Sequence, residues 1–252
     1  MAWLDCNSGP LYYRESGSGQ FTVMLLHEYF GTGESWAGQR SWLGRHARVL
    51  TPDLPGHGRS VIDPDSRIRV AHAGSDLVRL LDSNAVERVH IVGCSLGAIL
   101  GLWVASRYPE RIASLTLSSI PDIHNPGAQA YAREYAGRVF PRIEASLDRV
   151  HGGGTPGYSR WLLLRNFELD LQDMPEDHAT AYASAFSYRG RALIISGDND
   201  PVFTPESAAS MRRSMTDTAL AVLPDTGHLV HQEMPGIFNQ LLLEHLLSSQ
   251  SE

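Results

Sequence analysis

The chain has 252 residues, of which 42% are hydrophobic and 8% aromatic, so it is long and apolar enough to bury one substantial core as a single domain. Its formal net charge of −7 argues against the basic surface that nucleic acids require and the polybasic segments that bind anionic membranes. The longest apolar run, from Leu96 to Ala105, is about half as long as a membrane-spanning helix.

The N-terminus and the cysteines bear on where the protein works. Residues 1–7 lack both a basic start and an apolar stretch, so we expect no signal peptide. The two cysteines, Cys6 and Cys94, show neither a metal-binding spacing nor a disulfide framework. We therefore expect a cytoplasmic protein that acts on a small-molecule substrate, with no nucleic-acid or membrane partner. The sequence leaves open whether it is a monomer or a homo-oligomer.

Short runs rich in β-branched residues alternate with helical patterns along most of the chain. This alternation is typical of βαβ units and predicts an α/β fold, with a mostly parallel central sheet flanked by helices. Helical periodicity places Leu77, Leu80 and Leu81 on one face of such a helix. Strands are predicted at Gly9–Glu15, Phe21–His27, Ala47–Asp53, Val89–Gly93, Ala113–Ser119, Arg191–Gly197 and Thr218–Pro224.

The alternation is interrupted between residues 121 and 190, where a helical, aromatic-rich segment precedes the last strands. One interpretation is a small helical subdomain that buries its own core. The other is a lid whose aromatic side lines a substrate pocket, which we favour because long insertions above a parallel sheet usually serve function. We therefore predict a core of residues 1–120 and 191–252, with a helical lid of residues 121–190 inserted before the last strands.

A candidate nucleophile follows the strand at Val89–Gly93. Gly93-Cys94-Ser95-Leu96-Gly97 has the Gly-x-Ser-x-Gly pattern, and an apolar helix follows it. Attack by serine requires an exposed Oγ on a turn so sharp that neighbouring positions have no room for side chains, and the helix N-terminus favours developing negative charge. The short pattern has a high false-positive rate, but the strand before it and the helix after it strengthen it.

A serine nucleophile needs a histidine base, which a carboxylate orients. In the chain order Ser, acid, His, the acid follows a later strand and the histidine follows the last one. Asp198 and Asp200 both follow the strand that ends at Gly197, and His228 follows the final strand. Its place after a strand end distinguishes His228 from the other ten histidines, since α/β sheets hold their sites there.

Five motifs occur in a fixed order: Leu25-Leu26-His27, the stretch Asp53-Leu54-Pro55-Gly56-His57-Gly58-Arg59-Ser60, Gly93-Cys94-Ser95-Leu96-Gly97, Gly197-Asp198-Asn199-Asp200, and Gly227-His228 followed by Glu233-Met234-Pro235. In these motifs the chain resembles the α/β-hydrolase superfamily, in particular small bacterial esterases, enol-lactonases and meta-cleavage-product hydrolases. The resemblance covers nearly the whole chain outside the insert.

The resemblance also implies roles for the acidic residues. The family's acid is the fourth residue of its Gly-x-x-Asp turn, which makes Asp200 the triad acid and Asp198 a turn residue. A minority of relatives carry the acid after the preceding strand, where this chain has Asp122, so Asp122 is the alternative. In the same family His27, His57 and Asp53 occupy structural positions, and we assign them no chemical role.

The oxyanion hole of such enzymes uses two backbone N–H groups. One follows the nucleophile, which is Leu96 here, and the other lies just past a His-Gly pair. This chain has Glu28 in place of that glycine, so we choose Tyr29 as the second donor. Glu28 is either a tolerated carboxylate at a strand end or, if burial raises its pKa, a second acid or base. His151-Gly152-Gly153-Gly154 also looks like an oxyanion motif, but it follows no strand and lies after the nucleophile, so it receives no role.

The resemblance implies a serine hydrolase that cleaves a carboxylic ester or lactone of a small, fairly apolar molecule through an acyl-enzyme, with no cofactor or metal. Ser95 is then the nucleophile, His228 the base and Asp200 the residue that orients the base. Alternatives are a C–C bond hydrolase and a non-hydrolytic lyase or cyclase that uses Glu28. Because this fold also serves as a ligand receptor in some proteins, a binding role is a further alternative that an intact triad disfavours.

Overall fold

A computed structural model of the protein describes residues 2–63, 65–122, 125, 127, 130–131, 133–134, 146–151, 158–172 and 176–249. One sheet runs through them, and helices cover both of its faces. Its strands are β1 (Ala2–Cys6), β2 (Gly9–Ser16), β3 (Thr22–Leu26), β4 (Arg48–Pro52), β5 (Val89–Cys94), β6 (Ile112–Ser118), β7 (Ala192–Gly197) and β8 (Thr218–Leu223).

The eight strands lie in the order β1-β2-β4-β3-β5-β6-β7-β8. β1, β2 and β4 pair antiparallel, whereas every pair from β4 to β8 is parallel. The predicted α/β fold with a mostly parallel sheet is therefore confirmed. The flanking helices are α1 (Ala37–Leu43), α2 (Val70–Ser83), α3 (Leu96–Arg107), α4 (Tyr158–Gln172), α5 (Glu176–Ser184), α6 (Pro205–Ser214), α7 (Val230–Glu233) and α8 (Pro235–Ser248).

The structure differs from the sequence prediction at one edge strand and at the ends of several other strands. β1 was not predicted, because this edge strand has five residues and its burial alternates between partly buried and exposed, so it lacks a strong apolar run. His27, Asp53 and Ser119, predicted as strand residues, lie just past the ends of β3, β4 and β6. These three side chains therefore stand at the carboxyl edge of the sheet, where parallel sheets hold their sites.

Helix α3 accounts for the longest apolar run of the chain. Every residue from Leu96 to Ala105 is buried, because α3 lies between the sheet on one side and α2 and α5 on the others. A helix that is apolar all round is stable only when it is covered in this way. Within the described ranges, no helix is long and apolar enough to cross a membrane.

The predicted lid begins after β6 and ends before β7. Within it, α5 packs on α3, and Ser184 Oγ donates a hydrogen bond of 3.2 Å to the carbonyl of Leu102. Ala181 and Tyr182 are buried in the main core. The division of the chain into core and lid stays a prediction, and residues 123–124, 126, 128–129, 132, 135–145, 152–157 and 173–175 of the insert lie outside the described residues.

Burial keeps several histidines neutral. Desolvation lowers the pKa of His27 and His231 to about 3, and that of His90, His151 and His245 to about 4. In the unfolded chain a histidine takes up a proton near pH 6.5. Between about pH 6.5 and pH 4 the unfolded state therefore binds more protons than the folded state, and the free energy of unfolding falls as the pH falls.

His90 gives a direct test of this acid sensitivity, because its Nδ1 lies 2.8 Å from Ser114 Oγ inside the sheet. We expect His90→Gln to reduce the pH dependence of unfolding between pH 6.5 and 4 by up to about 1.4 kcal/mol per pH unit, the contribution of one proton. Urea unfolding at several pH values measures it. The exposed His72, changed to Gln, is the matched control and should leave the slope unchanged; equal slopes for both variants would contradict the expectation.

Candidate active site

Ser95 is the single residue between the end of β5 and the start of α3. Its φ of 52° and ψ of −114° lie in a region that residues other than glycine rarely adopt. Strain of this kind costs of order 1–3 kcal/mol and persists at functional sites where the surrounding packing imposes it. Ser95 therefore has the backbone of a nucleophile elbow, as the motif predicts.

The two glycines of the motif permit this turn. A Cβ on Gly93 would lie 2.4 Å from the carbonyl oxygen of Gly97, and a Cβ on Gly97 would lie 2.1 Å from the carbonyl oxygen of Leu26. Both distances are too short for any side chain. Helix α3 can therefore approach β5 and β3 this closely only with glycine at both positions. The approach also places the chain that follows Leu26 beside the elbow.

Asp200 and His228 are brought together from the loops after β7 and β8. The Nδ1 atom of His228 lies 3.0 Å from both carboxylate oxygens of Asp200. The Asp200 side chain is fully buried, and its Oδ1 also accepts hydrogen bonds from the N–H groups of Val202 and Phe203 at 2.9 and 3.1 Å. Because Nδ1 faces a carboxylate, it carries the imidazole proton, and Nε2 is left as the basic nitrogen.

Three hydrogen bonds fix the backbone of His228. The Glu233 carboxylate accepts from the N–H of Gly227 at 2.7 Å and from the N–H of Leu229 at 3.0 Å, on either side of the histidine. Ser119 Oγ donates to the carbonyl of His228. The sequence motif includes Glu233 but assigns it no role; its place five residues after the histidine and two before Pro235 was the available signal.

The end of β6 connects Ser95 and His228. The N–H of Ser95 donates to the carbonyl of Ser118 at 3.0 Å, and the next residue, Ser119, holds His228. Ser119 has a positive φ of 53°, which no sequence signal indicated. Within the described chain Ser95 Oγ and His228 do not share a hydrogen bond, so the catalytic link between them stays a prediction.

The other two candidate acids are engaged elsewhere. Asp198 Oδ1 accepts a hydrogen bond of 3.1 Å from the N–H of Thr226, as a turn residue does. Asp122 Oδ2 accepts a hydrogen bond of 2.5 Å from Ser207 Oγ. In the described structure, Asp200 is the one of the three that hydrogen-bonds His228.

The two backbone N–H groups predicted as oxyanion donors take part in no described hydrogen bond among the described residues. One belongs to Leu96, the first residue of α3, where the helix dipole favours negative charge. The other belongs to Tyr29, in the turn that the 3.1 Å hydrogen bond from Gly31 N–H to the Glu28 carbonyl closes. We call residues 28–31 the oxyanion turn; Phe30, its third residue, has a φ of 65°.

Glu28, the first residue of this turn, is buried. Its Oε1 accepts a hydrogen bond of 2.8 Å from Ser35 Oγ, whereas Oε2 is buried without a hydrogen bond. The nearest basic atom to Oε2 is Nε2 of His231, at 4.0 Å. Burial raises the pKa of Glu28, and its own backbone N–H, the hydrogen bond from Ser35 and the charge of His228 oppose that rise.

The structural residues of the motifs support these loops. His27 Nδ1 donates to the Glu28 carbonyl at 2.8 Å, and its Nε2 accepts from the N–H of Leu54 at 2.9 Å. The Asp53 carboxylate accepts from the N–H groups of Gly33 and Arg59. Among the described residues, no group of three His, Cys, Asp or Glu side chains is placed to hold a metal ion.

Comparison with known proteins places this arrangement in a family. Residues 22–152 match the family model described as the alpha/beta hydrolase fold. The chain belongs to the α/β-hydrolase family. The match spans the oxyanion turn, the Asp53–Ser60 loop and the elbow at Ser95, so the predicted resemblance is confirmed.

Several of the relatives are named as hydrolases. The chain is 27% identical to "Putative carbamate hydrolase RutD" of Caulobacter sp. strain K31, over 94% of this chain and 95% of that one. It is 26% identical to 3-oxoadipate enol-lactonase 1 of Acinetobacter baylyi, over 82% and 81%. A solved hydrolase of Pseudomonas aeruginosa PA01 is 27% identical, with a TM-score of 0.77 over 97% of both chains. The protein is an enzyme of this hydrolase family.

The Asp200–His228 pair yields a prediction about the acid. We expect Asp200→Asn to lower kcat by about three to four orders of magnitude, because an amide at this position favours the wrong imidazole tautomer. Asp198→Asn and Asp122→Asn are matched controls that leave the His228 partner in place, and they should lose less than about tenfold. Steady-state hydrolysis of a nitrophenyl ester measures all three; a severe loss in Asp122→Asn would transfer the acid to the end of β6.

Proposed function

We propose that the protein hydrolyses a carboxylic ester or lactone of a small, fairly apolar molecule through an acyl-enzyme on Ser95. The observation that carries the proposal is the strained elbow of Ser95 at the same sheet edge as the buried Asp200–His228 pair. The names of the relatives, which include an enol-lactonase, support the same reaction class.

The proposed mechanism uses His228 in both of its steps, first with the substrate alcohol and then with water. Ser95 Oγ attacks the carbonyl carbon while its proton passes to Nε2 of His228, and Asp200 stabilises the imidazolium that forms. The N–H groups of Leu96 and Tyr29 hold the oxyanion. His228 then returns the proton to the leaving oxygen. In the second step a water molecule gives a proton to His228 and attacks the acyl carbon, and His228 returns that proton to Ser95 Oγ as the bond between Ser95 and the acyl group breaks.

Aromatic rings beside the oxyanion turn favour an apolar substrate. The ring centroid of Phe167, on α4, lies 5.2 Å from that of Tyr29 and 5.1 Å from that of Phe30. Leu162 and Leu163 of the same helix are fully buried against these rings. Apolar and aromatic side chains around a few polar groups are typical of small-molecule sites.

The nucleophile can be tested directly. We expect a fluorophosphonate to modify Ser95 stoichiometrically and to abolish ester hydrolysis, because only an activated serine reacts at a useful rate. Peptide mapping by mass spectrometry identifies the adduct, with Ser95→Ala as the unlabelled control. An adduct on another residue, or none in protein that hydrolyses esters, would overturn the assignment; a protein that binds an ester but neither reacts nor turns over would be a receptor.

Glu28 supports a second candidate, a lyase, a cyclase or a specialised hydrolase that uses another acid or base. The buried Oε2 without a hydrogen bond is the observation in its favour. Asp200 receives two backbone N–H groups and an imidazole, whereas Glu28 receives the Ser35 hydroxyl and its own backbone N–H, so the Glu28 charge is less well compensated. A carboxyl group with a raised pKa exchanges protons closer to neutral pH than an ordinary one.

Substitution of Glu28 separates the two candidates. Since the triad suffices for ester hydrolysis, we expect Glu28→Gln to retain kcat within about tenfold, or roughly 1.4 kcal/mol of barrier, on nitrophenyl esters and on the native substrate. Glu34→Gln, at the half-exposed glutamate six residues away, is the matched control. A loss on the order of 10²–10⁴ in kcat on the native substrate alone, with one titration missing from the pH–rate curve, would establish the second candidate.

A further inference from the structure

His151 links the insert to the oxyanion turn. It follows the helical residues 146–150, and its side chain is buried, with 1% of the residue exposed. Its Nδ1 lies 2.8 Å from the N–H of Gly58, and its Nε2 lies 3.1 Å from the carbonyl of Phe30. The imidazole of His151 thus bridges the loop after β4 and the turn after β3. Both segments are far from His151 in the sequence.

The two partners determine the state of the ring. Nδ1 accepts from a backbone N–H, so it carries no proton, and Nε2 faces a carbonyl, so it carries the proton. A charged imidazolium would leave Nδ1–H opposite the Gly58 N–H. The bridge therefore requires the neutral ring with its proton on Nε2.

One end of the bridge is rigid. Gly58 has a φ of 53°, and a Cβ there would lie 2.2 Å from Asp53 Oδ2. The Asp53 carboxylate therefore packs directly against the backbone of Gly58. Ser60 Oγ donates to the Asp53 carbonyl at 2.7 Å, and Asp53 Oδ2 accepts from the N–H of Arg59. The Gly58 N–H is thus a fixed point in the structure.

The other end of the bridge is strained. Phe30 has a φ of 65°, a conformation that favours glycine, at the third position of the oxyanion turn. The direction of its carbonyl and that of the preceding peptide groups are coupled through this dihedral angle. A hydrogen bond to the Phe30 carbonyl therefore stabilises the turn that carries the Tyr29 N–H.

We propose that His151 is a positioning residue for the oxyanion turn, which it holds in one orientation by donating a hydrogen bond to the carbonyl of Phe30, while the bond from Gly58 keeps the donating proton on Nε2. The inference rests on the proposed function, in which the Tyr29 N–H stabilises the oxyanion. It gives a residue of the insert a direct part in the reaction, besides the ring contacts of Phe167 with the same turn.

Two isosteric variants separate the ends of the bridge. In His151→Asn the amide oxygen takes the place of Nδ1 and keeps the Gly58 bond, but nothing reaches Phe30. In His151→Gln the amide nitrogen takes the place of Nε2 and keeps the Phe30 bond. We expect Asn to lower kcat for a nitrophenyl ester at least tenfold, with KM within about threefold, and Gln to keep kcat within about threefold of the unmodified protein.

A boronic acid gives a second measurement, because its boron bonds to Ser95 Oγ and places an oxygen in the oxyanion hole. Its inhibition constant should rise in His151→Asn in parallel with the loss of kcat, and should change little in His151→Gln. His245→Asn is the control for replacing a buried histidine, since His245 lies near Arg191 before β7, at the opposite end of the strands. It should lower Tm without changing kcat or the inhibition constant.

The outcomes distinguish this inference from the function on which it rests. Equal kcat in both His151 variants, or equal losses that follow a common fall in Tm, would overturn the positioning role while Ser95 still reacts with fluorophosphonate in the unmodified protein. Absence of Ser95 labelling in that protein would overturn the proposed function and the positioning role together.

Discussion

The close approach of α3 to strands β3 and β5 is the constraint on which the site depends. The carbonyl of Leu26 lies where a Cβ of residue 97 would be, so the helix can begin directly at the strand end. That geometry forces Ser95 into a strained conformation. The strain persists because α3 is buried on all sides, and Trp103 fills the space that Gly74 leaves on α2.

Hydrogen bonds, rather than close packing, hold His228 in place. Ser119 at the end of β6 and Glu233 in α7 fix the backbone around His228, while Asp200 orients its ring. Ser119, Asp200 and His228 lie in the loops after β6, β7 and β8 at the same sheet edge, and Glu233 lies in the short helix after His228. The parallel register of β5, β6, β7 and β8 brings those loops together, so the arrangement depends on the whole sheet.

Burial sets the electrostatics of this edge. The imidazoles of His27, His57 and His151 pack against one another, and desolvation lowers the pKa of all three, so none contributes a charge at neutral pH. Glu28 follows His27 in the chain, and burial raises the pKa of its carboxyl group.

Much of the fold and of the site is local in origin and could be predicted. A strand, two glycines and a helix in succession located the elbow at Ser95, although the packing of α3 against β3 imposes its strain. The order of the motifs placed Asp200 and His228 after successive strands. The edge strand β1 escaped prediction because a short, half-exposed strand has little apolar pattern.

Only the tertiary structure decided which of these groups meet. Asp122, Asp198 and Asp200 all follow strands, and loop geometry alone directs Asp200 to His228. His151 had no predicted role, yet it hydrogen-bonds Phe30, 121 residues earlier in the chain. A local motif specifies its own turn through short-range stereochemistry, whereas a contact between distant loops depends on strand register and helix packing, which no short stretch of sequence contains.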